Sequence, residues 1–296
     1  MDAGAAVHFD LDGGWGAAPG LAPISDVRAW GPRLRFSAPR DVVEEFYEHV
    51  KDRLAAYTLY GSGDFHHLTA LWIRRVAEPI TLISFDNHPD WDTRPPRWAC
   101  GGWINRALEL PWVERASVWG CANFEMDFPW RLFGNRAALR SGRLTIHPWA
   151  RRPGRPGRGR FAGMTPENWR ERFRRFSESL APRRVYVTID IDCLRADEAV
   201  TNWENGLFQA DDLVWALTTL RRSTCLVGGD VCGAYSVPAY ARWTQALAGK
   251  FDHPSLPVVD AHAARIRNAA TLGRIWPALV GADWLGPAGD QRGSAS

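Results

Sequence analysis

The feature that most restricts how this chain can fold is a succession of short apolar runs separated by helical patterns. The runs are TLISF (81–85), ASVWGC (116–121), RLTIHPW (143–149), VYVTID (185–190) and CLVGG (225–229). Runs of this length and β-branched content read as strands buried on both faces. Apolar spacing predicts helices over 40–56, 65–76, 103–110, 167–179, 210–221 and 237–248, with helix starts at Thr165-Pro166-Glu167 and at Asp211-Asp212. Strands that alternate with helices join as βαβ units, because parallel neighbours need a crossover between them. The expected fold class is therefore α/β, a three-layer α/β/α arrangement with a mostly parallel central sheet. Residues 1–285 are expected to form one domain and 286–296, small and polar, a flexible C-terminal tail.

Ligands of such sheets bind beyond the carboxyl ends of the strands. Two of the runs end in acids: TLISF leads into Asp86-Asn87-His88-Pro89-Asp90-Trp91-Asp92, and VYVTI into Asp190-Ile191-Asp192. Residues two apart in extended chain project to one side, so Asp86, His88 and Asp90 can converge, as can Asp190 and Asp192. Pro89 keeps its predecessor out of helix and supports that geometry. One acid at a strand end is ordinary turn chemistry. Several above an apolar sheet drive one another's pKa up unless positive charge lies among them. Neither segment holds a basic side chain, whereas two divalent ions would balance Asp86, Asp90, Asp190 and Asp192.

Neutral imidazoles complete such a ligand set without adding charge. His88 is one. The other is expected in Gly61-Ser62-Gly63-Asp64-Phe65-His66-His67, where a Gly-rich turn opens a helix, with His66 preferred to His67. Oxygen ligands with two imidazoles suit Mn²⁺ or a similar ion better than structural zinc.

Composition removes several other classes. A net charge of +3 is too small for a general nucleic-acid or membrane-surface function, and no run approaches a membrane span. The N-terminal residues do not read as a secretory signal. Five cysteines, an odd number with no C-x-x-C pair, fit neither a disulfide framework nor a cysteine zinc site, and a cytoplasmic location is expected. Cys193 and Cys232 lie near the acids, but without a paired histidine each reads as a buried small apolar residue. Of sixteen tryptophans most are expected in the core; Trp91, Trp98, Trp103 and Trp203 flank the chemical motifs. The stretch RRPGRPGRGR (151–160) breaks the strand and helix pattern and is expected as a mobile loop.

Three motifs, in order, resemble the ureohydrolase superfamily of arginase, agmatinase and formiminoglutamase. His66-His67-Leu68-Thr69 is similar to its Gly-Gly-Asp-His-Ser motif, Asp86-Asn87-His88-Pro89-Asp90 to Asp-Ala-His-x-Asp, and Thr188-Ile189-Asp190-Ile191-Asp192 to Ser-x-Asp-x-Asp. The resemblance covers roughly 60–235 and implies an arginase-like metallohydrolase with two Mn²⁺ per chain. It implies His66, Asp86, Asp90 and Asp190 as ligands of one ion and Asp86, His88, Asp190 and Asp192 as ligands of the other. It also implies that Asp90 and His88 are catalytic, Asp90 by orienting the attacking water.

The chain departs from that pattern in ways that concern the substrate. Gly233 falls where arginases and agmatinases carry a guanidinium-binding Glu, and Trp98-Ala99-Cys100-Gly101-Gly102-Trp103 offers no His for arginase's proton shuttle. Glu204 and Asp230, with Trp203 beside the first, are the nearest candidates for substrate binding; Glu204 reads equally as a solvated loop acid, and Asp230 reads more readily as a structural one. These departures resemble a divergent arginase-like branch that includes peptide arginases, which implies an arginine-containing peptide, or a small guanidino compound, as substrate and ornithine and urea as products. The basic stretch 151–160 would then suit an acidic leader peptide. Two other readings stand beside this one: a mononuclear amide hydrolase such as a deacetylase, in which Asp90 and Asp192 would be surplus, and a non-catalytic binding protein.

Overall fold

Two strands at the middle of one sheet, β4 (Ile80–Phe85) and β7 (Arg184–Asp190), set the geometry of everything that follows. In the computed structural model, which describes residues 6–16, 21–150, 163–254 and 258–281, they pair in parallel with Phe85 beside Ile189. The acids that follow each strand therefore emerge side by side.

The other strands are β1 (Ala6–Asp10), β2 (Ile24–Asp26), β3 (Tyr57–Tyr60), β5 (Val113–Trp119), β6 (Leu144–His147) and β8 (Cys225–Cys232). They complete an eight-stranded sheet in the order β2-β1-β3-β8-β7-β4-β5-β6. All its pairings are parallel, so the expected mostly parallel sheet is parallel throughout. From β4 the chain proceeds outward through β5 and β6, whereas β7 and β8 lie on the other side; strand order reverses between β4 and β7. Crevices at such reversals are where α/β sheets take their ligands.

Period-two alternation divides the core into two layers. On β4, Ile80 and Leu82 face one cluster and Ile83 and Phe85 the other. The first cluster is covered by α2 (Arg40–Val50), α3 (Thr69–Trp72) and α4 (Trp103–Leu108), through Phe46, Trp72, Trp103 and Ile104. The second lies under α6 (Trp169–Ser179), α7 (Ala210–Ser223) and α9 (Ala261–Val280), through Phe173, Leu213, Leu217, Leu272 and Ile275. Short helices α1 (Gly31–Leu34) and α5 (Arg136–Arg140), and α8 (Trp243–Asp252), lie in the connections. Burial of each large apolar side chain in these layers stabilises by about 1.5–3 kcal/mol.

Several element bounds differ from expectation for local reasons. Residues 65–76 form not one helix but a 3₁₀ turn (Gly63–Leu68), α3 and a second 3₁₀ turn (Ile73–Arg75). The helix expected at 167 starts at Trp169, because Asn168 Oδ1 accepts the Thr165 backbone N–H at 2.9 Å and holds the turn before it. At α7 the expected acidic start holds: Asp212 accepts the Gln209 N–H at 2.9 Å in a capping box. The helix expected over 237–248 runs instead over Trp243–Asp252. The basic stretch 151–160 and the tail 286–296 lie outside the described residues. Among the described residues, no helix is long and apolar enough to cross a membrane.

Candidate metal centre

Beyond the tips of β4, β7 and the Gly63–Leu68 turn, the six expected ligands meet in a buried cluster. Three groups of ligating atoms form within it, each with its atoms inside 4.8 Å of one another: His66, Asp86 and Asp90; Asp86, His88 and Asp192; and His66, Asp190 and Cys232. Asp86 belongs to two of them. His66 Nδ1 stands 3.2 Å from both Asp86 Oδ2 and Asp90 Oδ2, and 3.7 Å from Asp190 Oδ2. His88 Nδ1 lies 2.8 Å from Asp192 Oδ2 and 3.6 Å from Asp86 Oδ1. His67 takes no part in these groups, and its burial lowers its ring pKa to about 3.

Backbone and neighbours hold each ligand in place. The His88 N–H donates to Asp86 Oδ1 at 2.7 Å, the Asp192 N–H to Asp190 Oδ1 at 3.0 Å, and the Asn87 N–H to Asp192 Oδ1 at 3.0 Å. Asp90 sits in the left-handed region (φ 45°), a conformation that Asp tolerates better than most residues, and its Oδ2 accepts the Trp103 indole N–H at 2.6 Å. Bare backbone closes in on Asp190 from both sides: a Cβ on Gly63 would come within 2.6 Å of its Oδ2, and one on Gly233 (φ 106°) within 2.2 Å of its Oδ1.

The electrostatics are those of acids crowded without enough positive charge. Burial pushes Asp90 up to about 7 and raises Asp190 and Asp192, with Asp86 adding to each. Burial acts on Asp86 in the same sense, but His66 and His88 outweigh it and hold this carboxyl below the ordinary range. Both imidazoles would be lowered by burial. Asp86 and Asp90 around His66, and Asp192 and Asp86 around His88, raise them well above the usual value instead. The two imidazoles thus stand against the acids where cations would. The cluster fits metal in one further respect: Asp86 Oδ2, shut off from solvent, has no aligned hydrogen-bond donor although His66 Nδ1 is close. An oxygen-rich, partly orphaned set with two imidazoles is what a borderline divalent ion takes.

The remaining expected residues divide. Trp203 walls the cavity, its ring 5.2 Å from that of His88 and its indole N–H donating to Asp64 Oδ1 at 3.2 Å. Glu204 Oε2 lies 3.3 Å from His88 Nε2. Asp230 requires a correction: it is fully buried beneath the cluster, not on the cavity wall. Its carboxylate accepts from Thr188 at 2.6 Å, Tyr186 at 2.8 Å, Thr69 at 3.0 Å and Tyr60 at 3.2 Å, so it is a buried polar hub and not a substrate contact. Trp91 and Trp103 are core residues. Cys193 and Cys232 remain thiols, raised by burial and by the neighbouring acids.

Two acids unread in the sequence join the cavity wall, Glu125 and Asp252. Glu125 Oε2 is shut off from solvent without a hydrogen-bond partner, and burial pushes this carboxyl up to about 8. It follows β5, and the strand-end rule that found the other acids applies to it too. Asp252 ends α8 and carries no such signal. Asp64, invisible to motif reading, is a second hub: it accepts from Arg35 Nε at 2.6 Å and pairs with His253 Nε2 at 2.7 Å, tying the end of α8 to the ligand turn.

Comparison with solved structures places this architecture. A hypothetical agmatinase from Burkholderia thailandensis superposes with a TM-score of 0.56 at 17% identity, over 93% of this chain and 84% of that one. Proclavaminate amidino hydrolase from Streptomyces clavuligerus gives 0.55 at 16% identity, over 93% and 91%. Arginase from Bacillus caldovelox gives 0.56 at 13%, over 93% and 97%. The fold is that of the ureohydrolases. No family model matches the chain. An uncharacterized protein of Thermotoga maritima is 28% identical over 189 residues, which make up 63% of this chain and 61% of that relative's length. The residue after β8 is bare: Gly233 has no side chain, and its φ and the nearness of Asp190 leave no space for one.

Proposed function

We propose that this chain is a binuclear manganese hydrolase that cleaves a guanidino C–N bond, converting arginine carried in a peptide to ornithine with release of urea. The observation that carries the reading is the sharing of Asp86 between two compact groups of ligating atoms, each with its own histidine. One ion is assigned to His66, Asp86, Asp90 and Asp190, and the other to Asp86, His88, Asp190 and Asp192. When bound, the pair supplies the Lewis acidity that makes water a nucleophile near neutral pH.

The chain's own groups supply the rest. Asp90, fixed by the Trp103 indole, accepts a hydrogen bond from the attacking water. Glu204 steadies His88 through Nε2, which aims Nδ1 at Asp86 and Asp192. Glu204 and Asp252 make the cavity attractive to a cation, whose planar guanidinium suits carboxylate partners, and Glu125, pushed up by burial, ionises most readily against such a charge. The water oxygen bonds to the guanidinium carbon, and the bond from that carbon to the side-chain nitrogen breaks. Of the two protons the water gives up, one goes to this nitrogen, which leaves as the ornithine amine, and the other to solvent, the carbon becoming that of urea. The peptide reading is supported by the loss of side-chain bulk at Gly233, and the basic stretch 151–160 suits an acidic leader segment. Five cysteines without a disulfide fit a reducing compartment such as the cytoplasm.

Mn²⁺-loaded protein incubated with free arginine, agmatine and an arginine-containing peptide tests this directly. The expected result is urea from the peptide with a mass loss of ~42 Da, the stoichiometry of arginine to ornithine by water attack. Absence of urea from all three, with and without metal, would remove the proposal.

A further inference from the structure

Helix α8 is built inside out. It buries Gln245 and Gly249, while Trp243, Leu247 and Phe251, spaced to share one helical face, are 76%, 46% and 81% exposed. Its attachment is polar: the Gln245 side-chain amide donates to the Arg35 and Ser37 carbonyls at 2.7 and 2.9 Å. Its far end is pinned by the His253–Asp64 pair. An amphipathic helix normally turns its apolar stripe inward. This one holds its stripe out, and the stripe runs to Asp252 on the wall of the metal cavity.

A second apolar patch flanks the same cavity. Phe124 and Trp130 pack edge to face at 5.3 Å, Trp130 and Phe133 lie tilted at 6.3 Å, and the Arg94 guanidinium lies 4.1 Å over Phe133. Phe128 and Leu132 are exposed beside them. This patch adjoins Glu125, as the α8 stripe adjoins Asp252. Each apolar surface therefore ends in a carboxylate that faces the cavity.

We infer that the α8 stripe and the Phe124–Phe133 segment are a two-part docking surface for the polypeptide that carries the reacting arginine, and that they select bulky apolar residues beside it. The inference rests on the function proposed above and adds the flanking specificity. Charge complementarity points to the occupant: Asp252 on the cavity wall and Glu204 against His88 suit a cationic side chain, and the adjoining patches suit apolar residues next to it.

The test uses full-length protein and fluorescein-labelled heptapeptides with a central arginine, flanked either by Phe and Leu or by Gly and Ser. Anisotropy reads binding without turnover, so a failed hydrolase assignment and a failed docking surface give different results. The apolar-flanked peptide is expected to bind about tenfold tighter or better. Combined Trp243→Ser and Phe251→Ser substitution brings the ratio of the two affinities toward one, whereas Ile266→Ser, exposed on α9, leaves it as it was. Equal binding of the two peptides, or a ratio indifferent to the double substitution, overturns the proposal. Light scattering is run on the same samples: a dimer that the double substitution converts to monomer, with peptide selectivity unchanged, assigns the stripe to a second copy and also overturns it. Flank-selective binding with no urea from any substrate would leave the surface standing and remove the hydrolase reading alone.

Discussion

Asp230 is linked to His66 through a single hydroxyl, that of Thr188. Thr188 donates to Asp230 Oδ1 at 2.6 Å and stands 2.9 Å from His66 Nε2. With its proton committed to Asp230, Thr188 can only accept from Nε2–H, which leaves Nδ1 to face Asp86 and Asp90 as a ligand would. Thr188→Val removes that hydroxyl and leaves polar atoms on both sides short of a partner. It is expected to cost about 1–3 kcal/mol in urea unfolding, and to weaken Mn²⁺ binding by roughly 10–100-fold in calorimetric titration. Unchanged metal affinity would show that the relay does not position His66.

Asp86 lies in two of the ligating groups, so its loss should abolish binding of both ions. In the parent protein, Mn²⁺ at a hundred times its dissociation constant is expected to stabilise by about 2.7 kcal/mol, read as a rise in Tm. Asp86→Asn is expected to eliminate that rise, whereas Asp92→Asn, which breaks a surface pair with Arg94, keeps it. A metal-dependent rise that survives Asp86→Asn would argue against the shared carboxylate.

At Gly233 both conformation and space forbid a side chain. Gly233→Ala places a Cβ against Asp190 in a backbone region unfavourable to L-residues, and a loss of about 1–3 kcal/mol is expected. Because the displaced group is a ligand, thermal unfolding with and without Mn²⁺ should show a larger loss in the loaded protein. An equal loss in both states would confine the effect to backbone strain.

The response to pH follows from the shifted groups. His66 and His88 are raised above 6.5 in the metal-free chain, so their contribution to stability is fully present below that value and fades as pH rises through their folded values. Asp90, raised to about 7, acts in the same direction: its protonated form is favoured in the folded chain, and stability is lost as it ionises. Metal needs the deprotonated forms of all three. The difference in Tm between Mn²⁺-loaded and metal-free protein should therefore widen from about pH 5.5 to about pH 8.5, as protons cease to compete. A difference that is flat or shrinks across that range would contradict the charge balance described for the cluster.

The central strands and the acids after them were legible because two signals coincide there: an apolar run long enough to be buried on both faces, then carboxylates at alternate positions. The strands of one flank, β1 to β3, were not. Ile24–Asp26 is three residues long with both ends exposed, and Tyr57–Tyr60 is too short for its pattern to rise above chance. Helix α9 is rich in alanine and carries Pro277, so its apolar face is weak in sequence although Leu272, Ile275 and Leu279 are buried. Helix α8 was misplaced for the opposite reason: its apolar residues follow helical spacing but face outward. Asp230 is a candidate in sequence only because it stands near the Gly233 position that lacks a carboxylate, and the structural role it reads for more readily is the one it has. Register sets it beside Thr188, one alternation below the ligand Asp190.

Two glycines lie against Asp190, one on each side, and neither has a group that could yield. A carboxylate boxed in by main chain has little freedom to swing away when an ion departs. Chelation should therefore leave behind a vacant mould and not a collapsed one. Refilling after a chelator is washed out should be paced by the arrival of ions, with no slow phase from chain rearrangement.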